Sequence, residues 1–351
     1  MDNAWRKLRR LALRWRAHWL SPYRARQVAA RVEHVSGPPA VSLEPDGLVV
    51  LCLVRDGSAH LEHFLEHHFR LGARAAVLLD NDSTDNTAAI ARDTQRVTLL
   101  RCSLPYREYQ YEYRRFLVNH FGSSSWSLLV DIDERFDFPC SSQIPMRSFL
   151  GYLNAHRYTA VAAHMLDLFP EGPLHAWPAA GRALVEASQW YDLSGLVAFR
   201  PGPADRRNEY ADPDPRHWKG GFRQEVFGTE PMLTKHPLLF RPGGPEPVRH
   251  SSHFCSGGRV ADVSCLLAHY KFDAAFRQRC LRAVREANYY DNSRAYRAYL
   301  RALQKSPDLT LKRATARRFR GVDELVREGF LTVSEEYRAW VRMHVARGDT
   351  A

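Results

Sequence analysis

The 351-residue chain has only six cysteines, at 52, 102, 140, 255, 265 and 280, and no two of them form a C-x-x-C pair. That spacing excludes a zinc ribbon or a thioredoxin-type redox pair. Cysteines this sparse suit a reducing compartment rather than a disulfide framework. No run of 18 apolar residues occurs, so no transmembrane helix is expected. Arg14, Arg16 and His18 interrupt the N-terminal apolar positions, which argues against a secretory signal. Internal repeats and low-complexity tracts are also missing, so solenoids and fibrous folds are set aside. What remains is 45% hydrophobic and 25% charged, ordinary globular composition for one large domain or two.

Acidic residues are outnumbered, 39 against 50 Lys/Arg, for a net charge of +11. Residues 1–35 carry nine Lys/Arg against Asp2 and Glu33, which leaves only +4 for all the rest. A near-neutral body argues against nucleic acid as a partner, which would want a basic face on the folded domain. Within the basic arm, Trp5, Leu8, Leu11, Trp15 and Trp19 recur at helical spacing among arginines over residues 4–20. Such a helix suits peripheral contact with an anionic membrane surface, or docking on its own domain or a partner.

After a linker at Ser36-Gly37-Pro38-Pro39, apolar runs at Leu48–Val54, Ala75–Leu79, Val97–Leu100 and Trp126–Val130 are predicted as buried strands. Helices are expected over 58–72, capped by Ser58 and ended by Gly72, and over 85–94 and 109–121. Four alternations of strand and helix predict an α/β, Rossmann-like, doubly wound and mostly parallel sheet. Strands are expected again at Tyr158–Leu166 and Leu196–Phe199, with an exposed loop over 201–215. Residues 273–305 and 309–346 look largely helical, with Asp273 a candidate cap. The implied domains are an arm and linker over 1–45, a main domain over 46–272 divided near 138, and a helical region over 273–351.

Two polar loops stand at expected strand ends, where ligands bind in open α/β sheets. Asp131-Ile132-Asp133-Glu134 gathers carboxylates into a hard oxygen site that suits Mg²⁺ or Mn²⁺ better than Zn²⁺. An ion held there would clamp a diphosphate as a leaving group. The loop Asp80-Asn81-Asp82-Ser83-Thr84-Asp85-Asn86-Thr87 reads by itself first as an Asx-turn entering a capped helix, and second as carboxylates offered to a base or ribose.

Together Leu53-Val54-Arg55-Asp56, the helix from Leu61 to Gly72, the loop Asp80 to Thr87 and the run Trp126 to Glu134 resemble the family 2 glycosyltransferases. The likeness is to a bacterial subgroup with DNxSxDxT and DxDE motifs. It is strongest over residues 47–138 and continues through Gly220–Gly228, Lys235-His236-Pro237-Leu238 and His269-Tyr270-Lys271-Phe272. The resemblance implies a GT-A fold and a nucleotide-sugar donor. Carried over by motif, Arg55, Asp56, Asp80, Asn81 and Asp85 would hold the nucleoside. Asp131 and Asp133 would hold the metal and diphosphate. Asp56-Gly57 stands where the pattern has Asn-Glu, which displaces one carboxylate. His269 would be a late metal ligand, with His250 and His253 as competitors, and Lys271 would neutralise the leaving diphosphate. Glu225 would be the base that deprotonates the acceptor hydroxyl, with Asp167 and Asp192 as rivals. Glu134 has no assigned role beyond support of its neighbours.

The implied activity is metal-dependent, inverting transfer of a sugar to a glycan, lipid-linked or other hydroxyl acceptor. The implied location is the cytoplasm, against the inner membrane face if the arm binds there. Other readings stay open. A non-catalytic nucleotide-sugar or glycan-binding protein could keep the fold. His63-Phe64-Leu65-Glu66-His67 matches the H-x-x-E-H zinc-hydrolase spacing, although His63 and His67 are expected on the solvent side of their helix. Tyr106 to Arg115 interleaves rings and charges as an RNA-binding stretch can, but suits better a helix flanking the donor cleft.

Overall fold

The computed structural model describes residues 20–200, 207–213, 215–242, 245–247, 253–286 and 290–348. Strands β1 to β7 span Glu33–Ser36, Leu48–Val54, Ala75–Asp80, Val97–Arg101, Trp126–Leu129, Glu134–Asp137 and Ala160–Asp167. Two later strands, Thr234–Phe240 and Cys265–His269, complete the part of the sheet that matters for the site. Helix α1 covers 20–31. Helices α2 to α5 are Ser58–Leu71, Thr87–Asp93, Tyr106–Phe121 and Met146–Ala155. Then come α6 Gly181–Ala187, α7 Phe222–Phe227, α8 Phe276–Glu286, α9 Tyr290–Lys305, α10 Val322–Arg327 and α11 Glu335–Ala346.

Among the described residues one eleven-stranded sheet dominates. Its parallel half runs β4-β3-β2-β5. The chain starts in the middle at β2, winds outward to β4, then returns to the other side of β2. That reversal leaves a crevice beyond the carboxyl ends of β2 and β5. All seven residues of β2 are buried because helices cover both faces. Val50 and Cys52 pack with Leu61, Phe64 and Leu65 of α2. Val49 and Leu51 pack with Tyr109, Tyr113 and Leu117 of α4. The α/β, doubly wound expectation holds, and the first four expected strands are present.

Beyond β5 the sheet turns mixed. Thr234–Phe240 lies antiparallel between β5 and β7, and Cys265–His269 runs parallel to β7 and antiparallel to β6. Neither late strand was expected; in the first, Lys235, His236 and Pro237 break the apolar run. Pro237 sits in an irregularity between Lys235 and Leu238, a tolerated place for a residue without an N–H.

Several expectations need correction. Ser58 is not a cap: Gly57 holds the N-cap position of α2, and Ser58 gives its N–H to Asp85 Oδ2 at 3.0 Å. Gly72 does end α2, with φ +117° in the left-handed region and its N–H on Phe69. Residues 309–346 are helical only in α10 and α11; Gly321 and Gly329 mark the breaks, and Arg317–Arg318 forms a short strand on Trp190–Tyr191. Glu33–Ser36 pairs antiparallel with β4, so the sheet extends to the threshold of the expected linker. Helix α1 docks on α4: Val28 is fully buried and Arg24 donates to the Glu108 carbonyl at 3.0 Å. Residues 4–19 of the amphipathic arm, and 201–206 and 214 of the expected loop, lie outside the described residues. Among the described residues no helix is long and apolar enough to cross a membrane. Among the described residues no two cysteines form a disulfide.

Candidate active site at the carboxyl ends of β2, β3 and β5

The acidic turn follows β5. The Glu134 N–H closes it on the Asp131 carbonyl at 3.0 Å, and the Asp131 N–H donates to Glu134 Oε2 at 3.0 Å. Strand register then builds the site. Glu134 lies opposite His269, and His269 lies opposite Asp167 on β7, so three sheet neighbours form one row. His269 Nδ1 donates to Asp167 Oδ1 at 2.6 Å, while its Nε2 lies 3.3 Å from Asp133 Oδ2. Arg223 of α7 holds Asp167 with two bonds, of 2.6 and 2.7 Å. Asp167 is therefore an orienting group for His269, and its carboxylate is taken.

The charges of this row follow from their neighbours. Burial disfavours ionised Asp133, yet His269, Lys271 and His60 hold its carboxyl well below the usual range. Burial also works against a charged His269, but Asp133 and Asp167 on either side raise its pKa. Against burial, Arg223 and His269 bring Asp167 down to about 2.

Two cations escaped the sequence analysis. Lys235, 8% exposed, places Nζ 2.8 Å from Asp131 Oδ2 and 2.5 Å from Glu134 Oε1. Arg114 of α4, 7% exposed, reaches Asp131 Oδ1 at 3.1 Å. Burial opposes the Asp131 charge, but Lys235 and Arg114 hold its carboxyl well down. The sole sequence signal for Lys235 was its place in a weak motif segment; Arg114 lay in the stretch expected to flank the cleft. On that helix Tyr109 and Tyr113 are buried rings, committed to the core rather than open for base stacking. Arg135, 2% exposed, was missed too: it donates to the carbonyls of Ile132 (2.9 Å) and Glu134 (3.0 Å), bracing the turn from beneath.

The loop that follows β2, at residues 55–57, and the Asp80–Thr87 loop are stitched to each other. The Asp56 N–H donates to Ser83 Oγ at 2.8 Å, and the Thr84 N–H to Asp56 Oδ1 at 2.8 Å. Asp85 accepts from the Ser58 N–H and hydroxyl and from the Thr87 N–H. Asp80 accepts from the Ser83 N–H at 3.1 Å, and the Asp85 bond to the Thr87 N–H, two residues on, is an Asx-turn. Asn81, 3% exposed, donates to the carbonyls of Cys102 (2.7 Å) and Leu104 (2.9 Å). These side chains shape the crevice wall, while Arg55 stays exposed beside it. Gly57 is closely confined by its neighbours. A Cβ there would lie 2.5 Å from Val54 Cγ2 and 3.1 Å from Ile132 Cγ1, where the loop touches the acidic turn. Asp85→Ala should cost about 1–3 kcal/mol through the lost loop bonds, read as a lower urea midpoint. An unchanged midpoint would show that the stitching contributes nothing.

The remaining candidates separate clearly. Lys271 lies over the rings of Tyr296 (5.3 Å) and Tyr299 (5.9 Å). Despite burial, those two hydroxyls raise its pKa, so it is a lasting cation. Asp192 accepts from the Ser194 N–H and the Thr315 hydroxyl, both at 2.7 Å, and holds a loop. Glu225 is 42% exposed, 3.8 Å from Arg313. It stands two residues after Arg223 in α7, so the two side chains leave different faces of that helix. Just before α7, the Gly220 and Gly221 N–H groups donate to the Pro231 and Gly195 carbonyls, both at 2.9 Å. His253 is half-buried, and its desolvation together with Lys235 holds its pKa down to about 3. His250 lies outside the described residues.

The helix histidines do not face solvent as expected. His67 Nε2 meets the Phe136 carbonyl at 2.8 Å, His63 Nδ1 accepts from Arg135 Nε at 3.2 Å, and His68 is 1% exposed. They pack α2 onto β6, and a guanidinium against His63 is a poor neighbour for Zn²⁺.

Among the described residues no group of three or more His, Cys, Asp and Glu is drawn together as a metal cluster. Asp133 Oδ2 and His269 Nε2 do face each other, an oxygen and an imidazole nitrogen that suit Mn²⁺ or Mg²⁺ sharing a substrate diphosphate. Asp131 fits less well, because each of its oxygens already faces a cation.

No family model and no curated protein matches this chain. Among solved structures, similarity is found to a crystal structure of S. aureus TarS 1-349, at 12% identity and TM-score 0.27, over 38% of this chain and 45% of that one. A crystal structure of S. aureus TarS matches at 12% identity and TM-score 0.28, over 38% of this chain and 27% of that one. The mannosyltransferase PcManGT from Pyrobaculum calidifontis, in complex with GDP-Man and Mn²⁺, matches at 14% identity and TM-score 0.33, over 97% of this chain and 96% of that one. The chain thus spans less than half the length of either TarS chain.

Proposed function

We propose that this protein is a GT-A-type glycosyltransferase that moves a sugar from a nucleoside diphosphate donor to a hydroxyl acceptor with inversion. The observation that carries this is the crevice itself. Two stitched loops wall it at the ends of β2 and β3, and the acidic turn with His269 forms its floor at the end of β5. The Asx-loop wall accommodates the nucleoside, with Arg55 beside it. In the reaction the acceptor oxygen bonds to the anomeric carbon as the bond from that carbon to the diphosphate breaks. The electron pair leaves on the diphosphate, and the acceptor proton passes to a base. Lys271 supplies positive charge where the leaving group develops its own. A divalent ion held by Asp133 and His269 would add to that stabilisation. Asp167, fixed by Arg223, keeps the His269 ring turned toward Asp133. Glu225 is our candidate base, because it is the one carboxylate of the three that retains exposure.

The donor panel is the test. UDP-, GDP- and CMP-sugars with Mn²⁺ should raise the melting temperature for at least one nucleotide and show slow donor hydrolysis. Silence across the whole panel would end the proposal. A donor-binding protein without turnover is favoured by one feature, the occupation of both Asp131 oxygens by Arg114 and Lys235. Binding without hydrolysis or transfer would select it.

A further inference from the structure

The near-neutral charge of the body conceals a segregation. Residues 273–320 hold thirteen Lys/Arg against Asp273, Glu286, Asp291 and Asp308. Arginines concentrate on α8, where Arg279, Arg282 and Arg285 recur every three residues along one side. With Ala275, Gln278 and Leu281 they line an open cavity of about 650 Å³, a size that takes a small ligand. This cavity borders the crevice. Arg282 Nη1 is 3.3 Å from Asp56 Oδ2 in the loop after β2. Arg279 is fixed by the buried Asp273 carboxylate, at 2.5 and 2.6 Å, and by the Lys271 carbonyl at 2.7 Å. Asp273 in turn is 3.9 Å from His60 Nε2. Arg282 and Arg285 stay 48% and 79% exposed, with Arg285 Nη2 at 4.0 Å from Glu286 Oε1.

Like charges gathered on one helix side repel each other unless an anion joins them. Guanidinium forks match phosphate oxygens in pairs. We propose that the arginine side of α8 is a phosphate-binding subsite at the mouth of the crevice, built for a phosphate of one of the two substrates. That the anion belongs to a substrate rests on the transferase reading; the subsite itself does not. The phosphate comes either from the donor diphosphate or from a phosphate-bearing acceptor, and the same experiment separates the two.

Full-length protein and Arg285→Glu are titrated at low salt by calorimetry with UDP and GDP, with uridine and guanosine, and with glycerophosphoglycerol as a soluble phosphodiester. Arg285 touches no buried group, so the variant should fold, with its melting curve as the check. Reversing one charge at the subsite should weaken phosphate binding roughly tenfold, and Arg285→Lys should recover part of it. A loss confined to nucleoside diphosphates, with the nucleosides unchanged, assigns the subsite to the donor. A loss confined to the phosphodiester assigns it to the acceptor. Equal affinities for the variant and the parent, or no binding of any phosphate probe, overturn the subsite. If the parent binds the phosphodiester but neither UDP nor GDP, the subsite stands and the donor reading fails.

Discussion

Lys235→Met is expected to lower the melting temperature by on the order of 5 °C, more than any single surface change. The ammonium is the partner of Glu134, which is fully buried, and of Asp131. Removing one member of a buried pair leaves an uncompensated charge, at a cost of about 3–5 kcal/mol. In a chain of this size each kcal/mol moves the transition by a few degrees at most. Methionine keeps most of the side-chain volume, so the loss reports charge rather than a cavity. The partner change decides the interpretation. Lys235→Met with Glu134→Gln removes the orphaned carboxylate and should recover a large part of the stability. A Lys235→Met protein as stable as the parent, or a double variant no better than the single, would show that the ammonium is not the counter-ion of the turn.

Asp133→Asn should have the opposite profile, a folded protein without turnover. Its carboxylate is 27% exposed and its ion pair with His269, at 3.3 Å, lies at the crevice floor, so its loss should leave the folding core intact. If it holds the ion that steadies the leaving diphosphate, donor hydrolysis should fall by about 10²–10³, the scale of losing one electrostatic stabiliser. Nucleotide-dependent Mn²⁺ binding, followed by electron paramagnetic resonance, should weaken in parallel. Asp131→Asn separates the two carboxylates. It should retain Mn²⁺ binding, because Asp131 is committed to Arg114 and Lys235. Loss of Mn²⁺ binding in Asp131→Asn together with its retention in Asp133→Asn would reverse the assignment.

The contrast between these residues explains what a sequence shows. β2 was legible because burial on both faces leaves a continuous apolar run, Leu48 to Val54. Asp131 to Glu134 was legible as an acidic turn because its carboxylates cluster locally at a strand end. Lys235 was not, because its partners lie 101 and 104 residues away, and a lone lysine before His-Pro resembles any surface lysine. Arg223 hid for the same reason, 56 residues from Asp167. Their burial is set by strand register, which no local pattern carries. The same limit misled the assignment of Asp167 as a rival base: its residue type suits proton transfer, but its neighbours hold it as the ionised partner of Arg223 and His269. The helix histidines were misjudged because β6, a charged strand of four residues, was not seen as the surface that α2 packs against. Helix was overextended across 309–346 because exposed Arg and Lys favour it locally while glycines interrupt it.

A co-crystal structure with a nucleoside diphosphate and Mn²⁺ tests the central claim most directly. The diphosphate should lie over Asp133 and His269, with the nucleoside against the wall formed by Arg55 and the Asp80–Thr87 loop. A nucleotide bound elsewhere on the chain, with that crevice closed to it, would contradict the account.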